Sequence, residues 1–286
     1  METKYIDLHT HTNYSDGIFL NPRALVFTAK MRGIDILAKT DHDTLAGYEE
    51  AKQEADKVGI TLVPGVEIST PEYHLLALNF DPNNQRFREF ISYSGGIQRA
   101  VCEARIEKTR QLGIPISLDK VRALFPESRL GKWNLFVTML HDPECQEALR
   151  KYDKTSHELF RMFFGEEGLA RLNFKPDVTN QEAIYETHLA GGVIGIAHGQ
   201  KQISKVEQLE ELIEWGIDFA EDQPNLRSMK FKIDFTELEK VALAHNLPIS
   251  YGSDYHGPAY VRPMLGREKN VLSEGMAKLL KITPYN

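Results

Sequence analysis

The chain has 286 residues, 42% of them hydrophobic, enough to bury a large core in one α/β domain or in a domain with an insert. Its 34 Lys and Arg against 41 Asp and Glu leave a formal charge of −7, which argues against a duplex nucleic-acid surface, where cations must neutralise phosphates. Cys102 and Cys145 lie far apart and outside any Cys-x-x-Cys pattern, so neither a zinc ribbon nor a disulfide framework is suggested, and no apolar stretch reaches membrane-spanning length. A reducing, cytoplasmic location is therefore expected. A cleaved signal peptide is not, because metal-binding residue types begin close to Met1.

In chain order the pattern predicts a strand over 4–8 and a helix opened by Asn21 as N-cap with Pro22 at its first position. A strand over 34–39 follows, then a helix over 44–58 stopped by Gly59. Strands are predicted over 61–63 and 73–80. From about 83 to 172 the sequence becomes charged and helix-favouring, with helices predicted over 97–112, 130–140 and 144–164, and reads as an inserted helical subdomain. The strand–helix alternation resumes with a helix over 181–190, a strand over 193–197, a helix over 205–215, and strands over 217–220 and 247–251. This divides the chain into a main domain, 1–82 with 173–286, and an insert, 83–172, expected to form a lid over the active site.

Nearly every predicted strand runs into a residue able to bind a metal. His9 and His11 end the first, and residues two apart on a strand share a face, so both imidazoles can meet one ion. The pair also reads as ordinary hydrogen-bonded histidines, and Ser15-Asp16-Gly17 as a plain turn. His42 follows the second strand between Asp41 and Asp43, a crowd of carboxylates that a cation would relieve. Asp43 or Thr44 reads equally as a cap for the next helix. Glu67 stands inside the apolar run Gly65-Val66-Glu67-Ile68, where an unpaired carboxylate costs several kcal/mol, on the order given for buried charge. A bridging metal resolves that cost, as would a buried ion pair with Lys39. His74 opens an apolar run, His198 ends the strand over 193–197, and Asp254 and His256 repeat the two-residue spacing after the last strand. His141, His157, His188 and His245 lie in helical, polar surroundings without evident acidic partners and read as structural.

The run from Asp7 to Glu67, with His74, Ala197-His198 and Gly252-Ser253-Asp254-Tyr255-His256, resembles the PHP (polymerase and histidinol phosphatase) family of metal-dependent phosphoesterases, and within it the TrpH/YciV-type branch. The resemblance covers about the first eighty residues and the last hundred. It implies an α/β fold, a distorted (β/α)7 barrel with an inserted small helical subdomain, holding three divalent ions of Mn, Fe or Zn. By the same resemblance the first ion takes His9, His11, Glu67 and Asp254, the second Glu67, His74 and His198, and the third Asp16, His42 and His256. Two departures stand out: Ala197-His198-Gly199 where the family commonly has Ala-His-Pro, and Gly131-Lys132-Trp133-Asn134 where it has a Gly-Arg-Pro-His-like segment.

The implied reaction is attack of a metal-bound hydroxide on phosphorus, with Asp254 or His198 accepting or relaying the proton and Asp43 protonating the leaving alkoxide. Arg129, Lys132, Gln200 and Lys201 are candidates for substrate contact, or else solvated surface cations and amides. Trp133 is placed to stack a base or, preferably, to fill the core. The expected partner is a small phosphorylated molecule, nucleotide or nucleoside bisphosphate-like, with no duplex nucleic acid and no membrane; the oligomeric state is not legible. Trimming of short oligonucleotides from the 5′ end, opening of a cyclic phosphodiester, and a non-catalytic metal- or phosphate-binding module are the alternatives.

Overall fold

The computed structural model describes residues 4–18, 20–165, 167–172, 177–224, 231, 233–258, 265–266 and 270–283. They fall into two compact units, Met1–Ser94 with Asp177–Asn286, and Gly95–Pro176. The first unit begins with β1 (Ile6–Asp7), α1 (Pro22–Met31), β2 (Ile36–Lys39), α2 (Tyr48–Val58), β3 (Thr61–Ser69) and β4 (His74–Leu78), and α3 (Gln85–Gln111) runs from it into the second. The second unit continues with α4 (Leu118–Leu124), α5 (Lys132–His141), α6 (Pro143–Leu149), a 3-10 turn (Arg150–Tyr152) and α7 (Ser156–Phe164). The chain returns to the first through α8 (Asn180–Leu189), β5 (Val193–Ile196), α9 (Gly199–Gln202), α10 (Val206–Trp215), β6 (Phe219–Asp222), α11 (Phe235–Ala244), β7 (Ile249–Tyr251) and α12 (Glu274–Leu280).

Among the described residues the seven strands form one sheet in chain order, β1 to β7. Its edges meet: the Leu8 N–H donates to the Tyr251 carbonyl (3.0 Å), the Asp254 N–H to the His9 carbonyl (2.9 Å), and Thr10 and Tyr255 form a parallel bridge. This near-closure makes the expected distorted barrel. One strand departs from the parallel rule, because the 70–73 link is too short for a crossover and β4 folds back antiparallel on β3, pairing Ser69 with His74. It is antiparallel to β5 as well. The reversal explains why His74 begins its strand while other candidates follow theirs: both ends reach the same rim.

Alternation of side chains builds two apolar layers. Ile6, Leu8, Ile36, Ala38, Val63, Leu76 and Phe219 join one cluster, whereas Leu37 and Leu62, one residue out of phase, join Leu25, Val26 and Ala29 of α1 and Ala51 and Ala55 of α2 in another. Each fully buried aliphatic side chain contributes about 1.5–3 kcal/mol against exposure. The cap of α1 is as expected, with the Asn21 Oδ1 accepting from Ala24 N (2.8 Å). By contrast α2 starts at Tyr48 and not at 44, because Gly47, immediately before it, holds left-handed backbone (φ 77°).

The helical unit starts later than 83, since Phe87 and Ile91 are buried with the first unit and the Phe80 and Phe87 rings lie 4.6 Å apart. Its predicted helix over 144–164 is two helices and a 3-10 turn. Asp142 caps α6, Asp153 breaks the run with φ 44°, and Thr155 restarts it through a capping box with Glu158. Trp133 packs on Phe136 and Phe160 (5.6 and 5.0 Å between centroids), the core-filling role.

Candidate metal centre

The strand ends deliver the candidates to one place. His9 and His11 leave β1, His42 bridges to Glu67 beside the ends of β2 and β3, and His198 and Asp254 follow β5 and β7. Asp43, His198 and Asp254 all hold left-handed backbone (φ 48°, 34° and 57°), a conformation costly for non-glycine residues and concentrated at functional sites.

His9, His11 and Glu67 are fully buried, and their donor atoms face one another. His9 Nε2 lies 3.0 Å from His11 Nε2 and 3.1 Å from Glu67 Oε2, with Asp254 Oδ1 at 3.5 and 3.3 Å from the two ring nitrogens. Two imidazole nitrogens at that distance share at most one useful proton, so lone pairs converge on a common point. Ligand bonds of about 2.0–2.2 Å put neighbouring donors about 3 Å apart, the spacing seen here. Glu67 Oε1 meets His74 Nδ1 and His198 Nε2, each at 3.0 Å, and Glu67 Oε2 meets His42 Nδ1 at 3.2 Å. Asp16 approaches His256 Nε2 (3.4 Å), His11 Nδ1 (3.7 Å) and His42 Nε2 (3.8 Å).

Three groups of donors, each within 4.8 Å, therefore stand side by side: His9, His11, Glu67 and Asp254; His42, Glu67 and His74; and His11, Asp16, His42 and His256. The buried His198 Nδ1 has no hydrogen-bond partner among the described residues. A mixed imidazole and carboxylate set of this kind suits Mn, Fe or Zn ions. The electrostatics agree. Burial opposes charge on His9, yet the Glu221, Glu67 and Asp254 carboxylates outweigh it and hold its pKa well above the imidazole range. His11 is likewise pushed up to about 9, against burial, by hydrogen bonds to Asp254 and Glu67. Burial also works against Glu67, Asp16 and Asp254, but the surrounding cationic groups hold all three well below the carboxylate range. The pocket wants positive charge, and a cation supplies it without protons.

Around this set the other candidates fall into distinct places. Lys201 lies beside it, its Nζ 2.6 Å from Asp254 Oδ2. Gln200 is buried and donates to Asp222 Oδ1 (2.8 Å), so its amide braces the barrel wall. The Asp43 carboxylate accepts from the Ser69 N–H (2.8 Å), Ser69 Oγ (2.7 Å) and Ser94 Oγ (2.8 Å), tying the end of β3 to α3; it does not cap α2. Arg129 and Lys132 belong to the helical unit, where Lys132 Nζ sits 5.9 Å from the Phe160 ring centroid. Lys39 pairs with Asp41 (2.7 Å) and leaves Glu67 to the histidines, so the buried Lys39–Glu67 pair does not form. His188 does have an acidic partner, Asp218 at 2.8 Å, but the pair is partly exposed and distant in role: Asp218 also receives the Ile194 N–H.

Glu221 and the bracing role of Asp41 escaped sequence reasoning. Glu221 is fully buried against His9, and its signal is the one used for Glu67, an acid in a buried apolar strand; reading that strand only to Ala220 hid it. Asp41 receives Thr12 N–H, Thr12 Oγ1 and Ser15 Oγ (2.8, 2.6 and 2.5 Å), bracing the turn that carries Asp16.

Residues 7–108 match the family model of the PHP domain. A 5′-3′ exoribonuclease of Haemophilus influenzae is 31% identical over 274 residues, covering 90% of this chain and 91% of that protein. The chain belongs to the PHP domain family. A further PHP-like relative, a 3′,5′-nucleoside bisphosphate phosphatase of Chromobacterium violaceum, is 27% identical over 88% of this chain and 87% of its own. The crystal structure of a Bifidobacterium adolescentis protein whose proposed identity is a metal-dependent phosphoesterase superposes with a TM-score of 0.81 at 25% identity, covering 98% of this chain and 97% of that one. PHP membership and that neighbour place the chain among the metal-dependent phosphoesterases.

Proposed function

We propose that this chain hydrolyses a small phosphate ester, nucleotide or nucleoside bisphosphate-like, at a centre of three divalent ions held by His9, His11, Asp16, His42, Glu67, His74, His198, Asp254 and His256. The observation that carries the reading is the meeting of His9 Nε2, His11 Nε2, Glu67 Oε2 and Asp254 Oδ1 in one buried cluster. When bound, the ions would supply Lewis-acid activation of water and neutralise phosphoryl charge. Glu67, with one oxygen toward His9 and His11 and the other toward His74 and His198, would hold two of the ions.

The remaining steps belong to the protein's own groups. Lys201 neutralises Asp254 Oδ2 and leaves a cation at the rim for a phosphoryl oxygen. Asp254 or His198 would accept or relay a proton from the attacking water. Asp43, with two serine hydroxyls and a backbone N–H on its carboxylate, serves better as a brace than as the acid for the leaving group. A second reading, trimming of short RNA from the 5′ end, is supported by the 31% identity to an exoribonuclease along nearly its whole length.

Product analysis with nucleoside 3′,5′-bisphosphate and nucleoside monophosphates (phosphate release), a cyclic phosphodiester (the opened monoester) and 5′-phosphorylated short RNA (mononucleotides), each with Mn²⁺, tests both. Release from the bisphosphate, lost in His9→Ala/His11→Ala, supports the first reading; mononucleotide ladders from RNA with inert bisphosphate replace it by the second. Tight metal binding without turnover on any of them makes the chain a binding module and overturns hydrolysis.

A further inference from the structure

Glu221 lies in β6 with its side chain fully buried. Its carboxylate is spent almost wholly on the candidate centre. Oε1 and Oε2 lie 2.9 and 3.0 Å from His9 Nδ1, and Oε2 also accepts the backbone N–H of His198 (2.5 Å) and Gln223 Nε2 (3.3 Å). His9 thus presents opposite nitrogens to opposite tasks: Nδ1 to Glu221, Nε2 to His11, Glu67 and Asp254. A neutral imidazole whose proton is held at Nδ1 has its lone pair at Nε2. The same carboxylate holds the N–H of His198 at the left-handed turn (φ 34°) that swings that ring toward Glu67.

The neighbouring strand end makes room for this. A Cβ at Gly252 would meet both Glu221 Oε1 and His9 Cβ at 2.3 Å, so glycine there permits the carboxylate and the ring to pack against β7. Three strand ends, β1, β6 and β7, are shaped around one contact.

We infer that Glu221 is the positioning residue of the metal centre: it fixes the His9 ring and the His198 turn so that both present nitrogen lone pairs to the ions. It touches no ion or substrate itself. The inference rests on the reading of His9 as a ligand. Carboxylates in this relation to a ligating histidine change metal affinity by about 10–100-fold when altered. Glu221→Gln keeps the shape but turns an acceptor facing the His198 and Gln223 N–H groups into a donor.

The test is calorimetric titration of metal-stripped protein with Zn²⁺, with metal per chain by elemental analysis, on wild type, Glu221→Gln, Glu221→Ala and His9→Ala. The expected result is a tightest site weakened about 10–100-fold in Glu221→Gln, with the melting temperature of the stripped protein nearly kept, and at least that loss in Glu221→Ala. Unchanged Zn²⁺ affinity in Glu221→Gln beside a weakened His9→Ala overturns the role of Glu221. Unchanged affinity in both overturns the metal reading itself. Should the Glu221 variants not fold, long-range ¹H–¹⁵N spectra of Zn²⁺-loaded wild type decide: the His9 proton belongs on Nδ1, and a proton on Nε2 sinks the inference.

Discussion

The strand ends of the first unit and the interior of the second bury opposite chemistries. At the strand ends of the first lie His9, His11, Lys39, Asp41, Glu67 and Glu221, all at 1% exposure or less, while the interior of the second is Val121, Leu135, Phe136, Met139, Cys145 and Phe163. Removing a charge from water costs several kcal/mol unless it is paired, on the order expected for buried ions, whereas each apolar side chain gains by the same transfer. The helical unit is therefore held by packing. The strand-end cluster is held by mutual electrostatics that packing elsewhere must support, and bound cations would complete it. Disturbing one should leave the other measurable.

The largest effect is expected from His9→Ala/His11→Ala. Phosphoester hydrolysis should fall about 10⁴-fold, roughly 5 kcal/mol at about 1.36 kcal/mol per tenfold, with bound metal lost in parallel by elemental analysis. Near-UV circular dichroism from the Trp133 cluster should stay as in wild type. Wild-type turnover in the double variant would remove the centre from the chemistry.

The reciprocal disturbance is Phe163→Ala. Its ring is fully buried between Tyr152 (5.5 Å) and Phe164 (6.1 Å), so truncation should cost about 3–4 kcal/mol in denaturant unfolding of that unit. Metal per chain should not change. If it falls in step with stability, the two units are one cooperative body and the contrast between them fails.

Protons sharpen the comparison further, because only the first unit concentrates imidazoles against carboxylates. With its pKa pushed up to about 9, against burial, by Asp254 and Glu67, His11 carries a proton at neutral pH in the metal-free protein. An incoming ion must displace it together with the proton held on His9, so affinity should rise by about tenfold per pH unit per proton released between pH 6 and about 9. Calorimetry in buffers of different ionisation enthalpy reads the proton count directly. A metal affinity flat from pH 6 to about 9 would show that His11 binds without losing a proton, contrary to the charge pattern around it.

Much of this was legible in the sequence because it depends on local spacing. The two-residue intervals His9–His11 and Asp254–His256, and an acid at Glu67 inside an apolar strand, mark the site in the sequence, although both pairs lie just past β1 and β7 and Asp254 is left-handed, so strand alternation is not what aims them. The reversal of β4 was not legible: the run over 73–80 reads the same in either direction, and only the shortness of the link over 70–73 dictates a hairpin. Neither was the partner of Lys39. The sequence offers Glu67, but Lys39 pairs with Asp41, two residues on, while five histidines already surround Glu67. The break near Asp153 rests on a single left-handed residue inside a helix-favouring run, which composition averages away.

The smallest expected effect lies at the start of α6. Asp142 Oδ1 accepts the Cys145 N–H (2.9 Å) and lies 3.0 Å from Lys120 Nζ. Burial works to raise its pKa, but the Cys145 N–H and Lys120 prevail and the carboxyl sits below its ordinary value. A depressed folded-state pKa means the stabilisation is complete above the unfolded value of about 3.9 and is lost as pH falls through the folded one. Asp142→Ala should cost about 1 kcal/mol at pH 7, the usual worth of an N-cap, and the gap to wild type should close as pH falls below the ordinary carboxylate range. Because the residue lies in the packing-held unit, hydrolysis and metal content should stay at wild-type levels throughout; a drop in either would tie this helix start to the strand-end cluster.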